Sequence, residues 1–287
     1  MTYPIPDLLI NPLLDQWLRE DIGRGDRTTQ ALFKHNASRS HAEFRLKQTG
    51  VIAGLAIALR VFTRLDSDVE IQPLTPEGGQ RDSDTIIARV SGPSDTLLMG
   101  ERVALNLLMR LSGIATRTRT YAEAIKDLPT HLVDTRKTTP GLRLLEKYAT
   151  YTGGALNHRF GLDDAMMLKE NHIQAAGGIG EAIALVRQSA PYPLALEVET
   201  ETLTEVESAV SHGADIIMLD NMSLAEMKEA IALIRAKAPQ IKIEASGNIT
   251  METIRSVAET GVDFISTSAT ITQAPWLDIS LRFVSLP

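Results

Sequence analysis

The 287-residue chain contains no cysteine. Disulfides, thiolate zinc sites, iron–sulfur clusters and cysteine nucleophiles are therefore excluded. Aromatic residues make up only 5% of the chain, too few for a platform on which single-stranded bases stack. Lys and Arg number 29 against 36 Asp and Glu, a formal net charge of −7, which argues against a nonspecific nucleic-acid surface. That balance is still compatible with a local basic pocket for a small anion. No apolar run approaches the roughly 18 residues that a membrane span requires. The start, Met1 to Asp7, has neither the basic region nor the apolar stretch of a signal peptide. A cytoplasmic protein is expected, without nucleic-acid or membrane partners. Nucleotide-binding loops are missing too. There is no GxxxxGK[ST] segment, and neither Gly177-Gly178-Ile179-Gly180 nor Gly23-Arg24-Gly25 has the dinucleotide spacing. No His/His/carboxylate metal pattern is present.

What is there is an ordinary core-forming composition, 44% hydrophobic, organised in two ways along the chain. Up to about residue 130 the pattern is mixed. Helices are expected over 11–20, 55–65 and 98–125, and half-buried strands over 42–47, 69–74 and 85–90, an α+β arrangement. Beyond residue 130 six apolar runs, over 131–134, 165–169, 194–199, 215–220, 241–246 and 263–266, recur with helical stretches between them. Runs spaced roughly 20–35 residues apart are the cadence of parallel βα units. Each run ends in a polar or charged residue: Asp134, Lys169, Glu199, Asp220, Ser246 and Ser266. In a barrel of parallel strands these ends converge on one mouth, where chemistry sits. Strand alternation also puts Glu197 with Glu199, Met218 with Asp220, and Glu244 with Ser246 on shared faces. Inward charge of that density is costly unless it is paired or liganded.

Several segments at these strand ends carry chemistry. Asp134-Thr135-Arg136-Lys137-Thr138-Thr139-Pro140-Gly141 places two cations and three hydroxyls between a strand and a helix start, a pattern suited to phosphate or carboxylate. Arg159 can grip a carboxylate in two-pronged fashion, and His158 beside it can donate a hydrogen bond or shuttle a proton. His172 reads as a structural residue that caps its loop. Glu199 and Asp220 suit Mg²⁺, sugar hydroxyls or acid–base work, and equally salt bridges to Lys169 or Lys137. Ser246-Gly247-Asn248 allows backbone N–H groups to approach a phosphate, and Ser266-Thr267-Ser268 allows the same or a plain turn.

These segments lie within a longer resemblance. Glu20–Asp26, Ala53-Gly54-Leu55, Glu101–Asn106, Leu111–Thr116, Asp134–Gly141, Asn157-His158-Arg159, Lys169–His172, Met218–Asn221, Glu244–Gly247 and Leu277–Ser280 occur in order over nearly the whole chain. In them the sequence resembles the quinolinate phosphoribosyltransferase family. The resemblance implies an α/β protein: an N-terminal α/β sandwich domain over residues 1–115, with the tail of about 275–287 packing back on it, and an open (β/α) TIM-like barrel over 116–274. It implies phosphoribosyl transfer from phosphoribosyl pyrophosphate to quinolinate with decarboxylation, giving nicotinate mononucleotide, pyrophosphate and CO₂ for NAD biosynthesis. Mg²⁺ and no organic cofactor are implied, as is a homodimer or higher oligomer in which Arg102 reaches the neighbouring site.

Residue by residue, the resemblance assigns Arg102, Arg136, His158, Arg159 and Lys169 to quinolinate. It assigns Lys137, Glu199 and Asp220 to catalysis and to phosphoribosyl pyrophosphate, with Glu199 and Asp220 on the metal directly or through water. Ser246, Gly247, Asn248 and Ser268 are assigned to phosphate. The family has glycine where Ser268 stands and histidine where Thr272 stands, so the last phosphate loop departs from the pattern. Three rival readings are a phosphoribosyltransferase for another heterocycle, a barrel that binds the anion without turnover, and an aldolase with Lys169 as Schiff base. The intact 134–141 and 157–159 segments oppose the first, Glu199 and Asp220 the second, and the cations around Lys169 the third.

Overall fold

The computed structural model describes residues 5–33 and 38–284, so the first four residues of the leader region considered above lie outside the described part. The chain divides into two compact units. The first comprises residues 1–119, 144–153 and 274–287, the second residues 120–143 and 154–273.

In the first unit, α1 (Asp7–Ile22) begins four residues before the expected start. Pro12 lies inside it and removes one N–H from the helical ladder, yet the helix continues, with Ile10, Leu14 and Leu18 buried along one stripe. After α2 (Arg27–Leu32) come β1 (Arg39–Leu46), the short β2 (Gly50–Val51) and α3 (Leu55–Leu65). The strands β3 (Glu70–Pro73), β4 (Gln80–Arg81) and β5 (Ile86–Pro93) and the long helix α4 (Ser94–Ala124) follow. Ala42, Phe44 and Leu46 alternate inward along β1, and Phe44 meets Phe62 of α3 edge to face at 6.1 Å. Helix α3 thereby packs on an antiparallel sheet. Residues 144–153, most of α5 (Arg143–Gly153), also belong to this unit, through an ion pair at 2.7 Å between Arg110 and the fully buried Glu146.

The second unit holds β6 (His131–Val133), β7 (Met166–Leu168), β8 (Leu196–Thr200), β9 (Ile216–Asp220), β10 (Lys242–Ser246) and β11 (Phe264–Ser266). They form one parallel sheet in the order β6-β11-β10-β9-β8-β7. The ring is open between β6 and β7, where a single bridge joins Val133 to Leu156. Between the strands run α6 (Glu170–Ala176), α7 (Ile179–Ser189), α8 (Leu203–Ser211), α9 (Leu224–Lys237), α10 (Ile254–Ala258) and α11 (Ala269–Thr272).

Reciprocal caps start two of these helices. Thr202 and Glu205 satisfy each other's backbone N–H groups at α8, and Ser223 and Glu226 do so at α9. Val198, Ile217, Leu219, Ile243, Ala245 and Ile265 point outward from the strands and are completely buried. Each large aliphatic among them contributes about 1.5–3 kcal/mol. Because strand side chains alternate, this apolar layer forces Glu197, Glu199, Asp220, Glu244 and Ser246 to the inside.

The tail strand β12 (Ile279–Val284) returns to pair antiparallel with β1, completing the first unit's sheet as β12-β1-β5-β3. Its approach requires Gly113. A Cβ there would lie 2.0 Å from the carbonyl oxygen of Pro275. Among the described residues, no helix is long and apolar enough to cross a membrane.

Candidate active site

The carboxyl ends of the six strands surround a cavity of about 400 Å³. Arg136, Lys137, His158, Arg159 and Lys169 supply its cationic part, and Glu199, Asp220 and Glu244 its acidic part, the two meeting where Lys169 pairs with Glu199. Ser246 and Ser266 complete the polar lining, and Met167 and Met218 supply apolar wall. Cations and carboxylates named from the sequence are thus brought to one place.

The cationic side is built by two loops and a brace. Asp134, fully buried at the end of β6, accepts from the His158 backbone N–H (2.9 Å) and from Asn157 Nδ2 (2.7 Å). A buried carboxylate satisfied in this way pins the 157–159 turn to the strand end. Arg143 spans the two loops, donating to Thr138 Oγ1 (3.0 Å), to the Phe160 carbonyl (3.2 Å) and to the Arg136 carbonyl (3.4 Å). Arg159 is aimed by its contacts with the Ala165 carbonyl (3.0 Å) and Met167 Sδ.

Burial and then the Arg136 charge hold the Arg159 guanidinium below its usual range, with partial relief from Glu197. Arg136 Nε is buried without an acceptor among the described residues. Two guanidiniums in repulsion, one with an idle donor, form a site that an anion completes. Lys137 is exposed beside them at the cavity wall.

On the acidic side, Lys169 Nζ pairs with Glu199 Oε2, one of the salt bridges that the sequence left open. The backbone N–H of Lys169 donates to His172 Nδ1 (3.1 Å), so His172 caps the start of α6. Asp220 Oδ2 accepts from Asn221 Nδ2 (2.7 Å), and Asn221 Oδ1 accepts from Asn248 Nδ2 (3.0 Å). Burial first, and the charge of Glu199 second, raise the Asp220 carboxyl above its ordinary range. Two carboxylate groups in mutual repulsion at an open mouth are a donor set suited to a hard divalent cation.

Gly247 is held at φ +90°, where a Cβ would lie 2.2 Å from Asn221 Oδ1. With Asn248 at φ +50° and Asn221 at φ +55°, it forms the tight turn behind Asp220. Gly247 and Asn248 do not line the cavity themselves, and neither do Ser268 and Arg102. Ser268 instead precedes α11, its carbonyl accepting from the exposed Thr272 hydroxyl (3.0 Å). Arg102 is exposed on α4 of the first unit.

A third group lies beneath the cations. His158, Glu197 and Glu244 bring ligand atoms within 4.8 Å of one another. Glu197 and Glu244 are 3% exposed, and among the described residues Oε1 of each has no hydrogen-bond partner. Burial, and then the charge of Glu197, raise the Glu244 carboxyl to about 7. Strand alternation places both glutamates inside, but their convergence depends on register between β8, β9 and β10. The roles of Asp134, Arg143 and Asn221 likewise arise only in three dimensions.

The chain is similar to known proteins over nearly its whole length. Residues 26–112 match the family model of the quinolinate phosphoribosyl transferase N-terminal domain, and residues 114–282 that of the C-terminal domain. A probable nicotinate-nucleotide pyrophosphorylase [carboxylating] from Synechocystis sp. is 56% identical over 284 residues, covering 99% of this chain and 96% of the relative. The human nicotinate-nucleotide pyrophosphorylase [carboxylating] is 38% identical, covering 97% of this chain and 93% of its own. The structure of the nicotinate-nucleotide pyrophosphorylase from Francisella tularensis superposes with a TM-score of 0.92 at 36% identity, covering 98% of each chain. With both domain models matched in order around a mouth of paired guanidiniums and carboxylates, the chain belongs to the quinolinate phosphoribosyl transferase family.

Proposed function

We propose that the protein transfers the phosphoribosyl group of phosphoribosyl pyrophosphate to quinolinate and decarboxylates the product to nicotinate mononucleotide. The observation that carries the reading is the buried, acceptor-free Nε of Arg136 beside the repelled guanidinium of Arg159. Quinolinate is a dianion, and Arg136, Arg159 and Lys169 offer charges to its two carboxylates in a partly desolvated pocket, where each pair is strengthened. His158 completes this wall.

Lys137, exposed at the cavity wall beside them, stands where it can meet the departing pyrophosphate. Glu199 and Asp220 face the ribose, hold its hydroxyls and stabilise positive charge that develops on the anomeric carbon. Mg²⁺, held by Glu199 and Asp220 directly or through water, would supply neutralisation of the leaving pyrophosphate. The Ser246-Gly247-Asn248 turn, with Ser268, is assigned to phosphate. Its glycine admits the backbone approach that such contact needs. Once the ring nitrogen is ribosylated, its positive charge stabilises the electron pair left on the adjacent carbon as CO₂ departs, a proton from solvent then takes up that pair, and no organic cofactor is needed. The chain's contribution is positioning and charge.

We place the enzyme in the cytoplasm as a homodimer or higher oligomer, acting on small molecules without nucleic acid or membrane. The absence of cysteine and the net charge of −7 support the setting. Exposed Leu8 and Leu32 on α1 and α2, and exposed Arg102 on α4, support a subunit interface across which Arg102 reaches a neighbouring site. A coupled assay with quinolinate, phosphoribosyl pyrophosphate and Mg²⁺ tests the reaction, with nicotinate as control. Turnover of quinolinate alone is expected, and turnover of nicotinate instead would overturn the assignment.

A further inference from the structure

Arg143 is the first residue of α5, at the end of a helix where the backbone dipole favours an acid over a cation. Among the described residues it has no carboxylate partner, and it is absent from the cavity lining. Its fork is spent instead on neutral acceptors of the two loops that carry the anion-binding cations. Nε donates to Thr138 Oγ1, one amino group to the Arg136 carbonyl at 3.4 Å and the other to the Phe160 carbonyl at 3.2 Å. Neither the helix nor an ion pair accounts for an arginine here.

What the contacts do follows from their places along the chain. The two loops are already joined at their base, where Asp134 accepts from the His158 backbone N–H and from Asn157 Nδ2. Arg143 joins them a second time, two residues further out on each loop, at Arg136 and at Phe160. Arg136 is itself an outer tie point, and Arg159 lies between the tied residues His158 and Phe160. Both outer points rest on held backbone: the Arg136 carbonyl also accepts from the Thr138 N–H (3.0 Å), and the Phe160 N–H donates to Asp164 Oδ2 (2.7 Å). Loops tied at one point can swing apart, whereas loops tied at two points hold one spacing. The tie works against a load, because Arg136 and Arg159 repel each other.

Spacing is what a dicarboxylate reads. Two carboxylates on neighbouring ring carbons present their oxygens close together, and only two cations held close together meet both. A cation pair free to spread serves a wider diacid equally well.

We propose that Arg143 is a positioning and specificity-determining residue: by tying the 134–142 loop to the 157–164 loop it fixes the separation of Arg136 and Arg159, and so selects a ligand whose two carboxylates stand on adjacent carbons. It acts through the other two arginines and does not touch the ligand. The fork is essential and the charge alone does not suffice. A lysine ammonium is a single point on a flexible stem and cannot hold three acceptors on two loops at once.

This inference rests on the quinolinate reading of the pocket, and its test separates the two. Calorimetry compares pyridine-2,3-dicarboxylate, which is quinolinate, with pyridine-2,4-dicarboxylate, a dianion whose carboxylates stand one carbon further apart. Wild type is expected to bind the 2,3-isomer at least about tenfold more tightly. R143K and R143M are expected to bring that ratio to within about threefold, by losing affinity for the 2,3-isomer. In steady-state assays both should raise KM for quinolinate by about tenfold and hold kcat and the KM for phosphoribosyl pyrophosphate within about threefold.

T138V keeps Arg143 and removes one of its acceptors. It should lower the ratio by about twofold, and it decides the matter if the arginine variants do not fold, an unchanged ratio there overturning the proposal. A wild-type ratio in R143K would overturn it in favour of charge alone. So would equal weakening of both isomers, or a fall in kcat with KM unchanged, the marks of a general loss of structure. If wild type binds neither isomer, the quinolinate reading falls and the proposal with it. If wild type prefers the 2,3-isomer and the variants do so equally, the quinolinate reading stands and the proposal alone falls.

Discussion

The two sides of the cavity hold their charges by different means. Arg136, His158 and Arg159 sit on loops, and the loops are pinned by other side chains, Asp134 from below and Arg143 from across. Glu199, Asp220 and Glu244 sit on strands, whose sheet hydrogen bonds fix their backbone. The cationic side has repelled guanidiniums and an idle donor. The acidic side has carboxyls pushed up by burial and by one another. Each side thus lacks what a ligand brings: an anion for one, a cation or a developing positive charge for the other. Strain of opposite sign across one cavity suits a reaction that joins a dianion to a carbon turning positive.

Breaking the acidic side is expected to damage turnover most. Asp220→Asn removes one carboxylate facing the ribose and should lower kcat by roughly 10²–10³. Steady-state assays should show that loss, while calorimetry should find its Kd for quinolinate unchanged. A parallel loss of quinolinate affinity would mean that the two sides are not separate. Breaking the cationic side is next. Arg159→Ala should weaken quinolinate binding by about 100-fold while leaving the KM for phosphoribosyl pyrophosphate within a few-fold. Arg159→Lys should recover little of it, because a lysine lacks the planar fork.

The turn behind Asp220 offers a smaller change. Gly247→Ala puts a Cβ against Asn221 at a left-handed φ, and a strain of about 1–3 kcal/mol should raise the KM for phosphoribosyl pyrophosphate by roughly tenfold. Ser268→Gly sharpens the picture with the least effect. If the Ser268 hydroxyl serves in place of a close glycine approach, both kinetic constants should stay within about twofold, because its side chain lies outside the cavity lining.

These charges were legible in the sequence to different depths. The acids at strand ends could be named because apolar alternation runs up to Glu199, Asp220 and Ser246 and leaves them inside. Helices α8 and α9 were equally plain, since their apolar stripes and caps coincide. Helix α1 was not. Pro12 reads as a first-turn residue, but buried Ile10, before it in the chain, holds the helix back to Asp7. Asp134 was visible as a polar strand end, yet its acceptor role depends on a turn more than 20 residues onward. The meeting of Glu197 with Glu244 depends on strand order, which no local pattern contains. The segment 144–153 reads as one more barrel helix, but its Glu146 is paired with Arg110 of α4, and the segment belongs to the first unit.

The gap in the six-stranded ring has a dynamic consequence. Only β6 and β7 have a strand neighbour on one side alone, and the loops carrying Arg136, His158, Arg159 and Lys169 grow from those two strands or from the stretch between them. The strands that carry Glu199, Asp220 and Glu244 are flanked on both sides. Amide protons of β6 and β7 should therefore exchange with solvent sooner than those of β8 to β10. The part of the mouth that receives the dianion opens first, on a barrel whose acidic half stays shut.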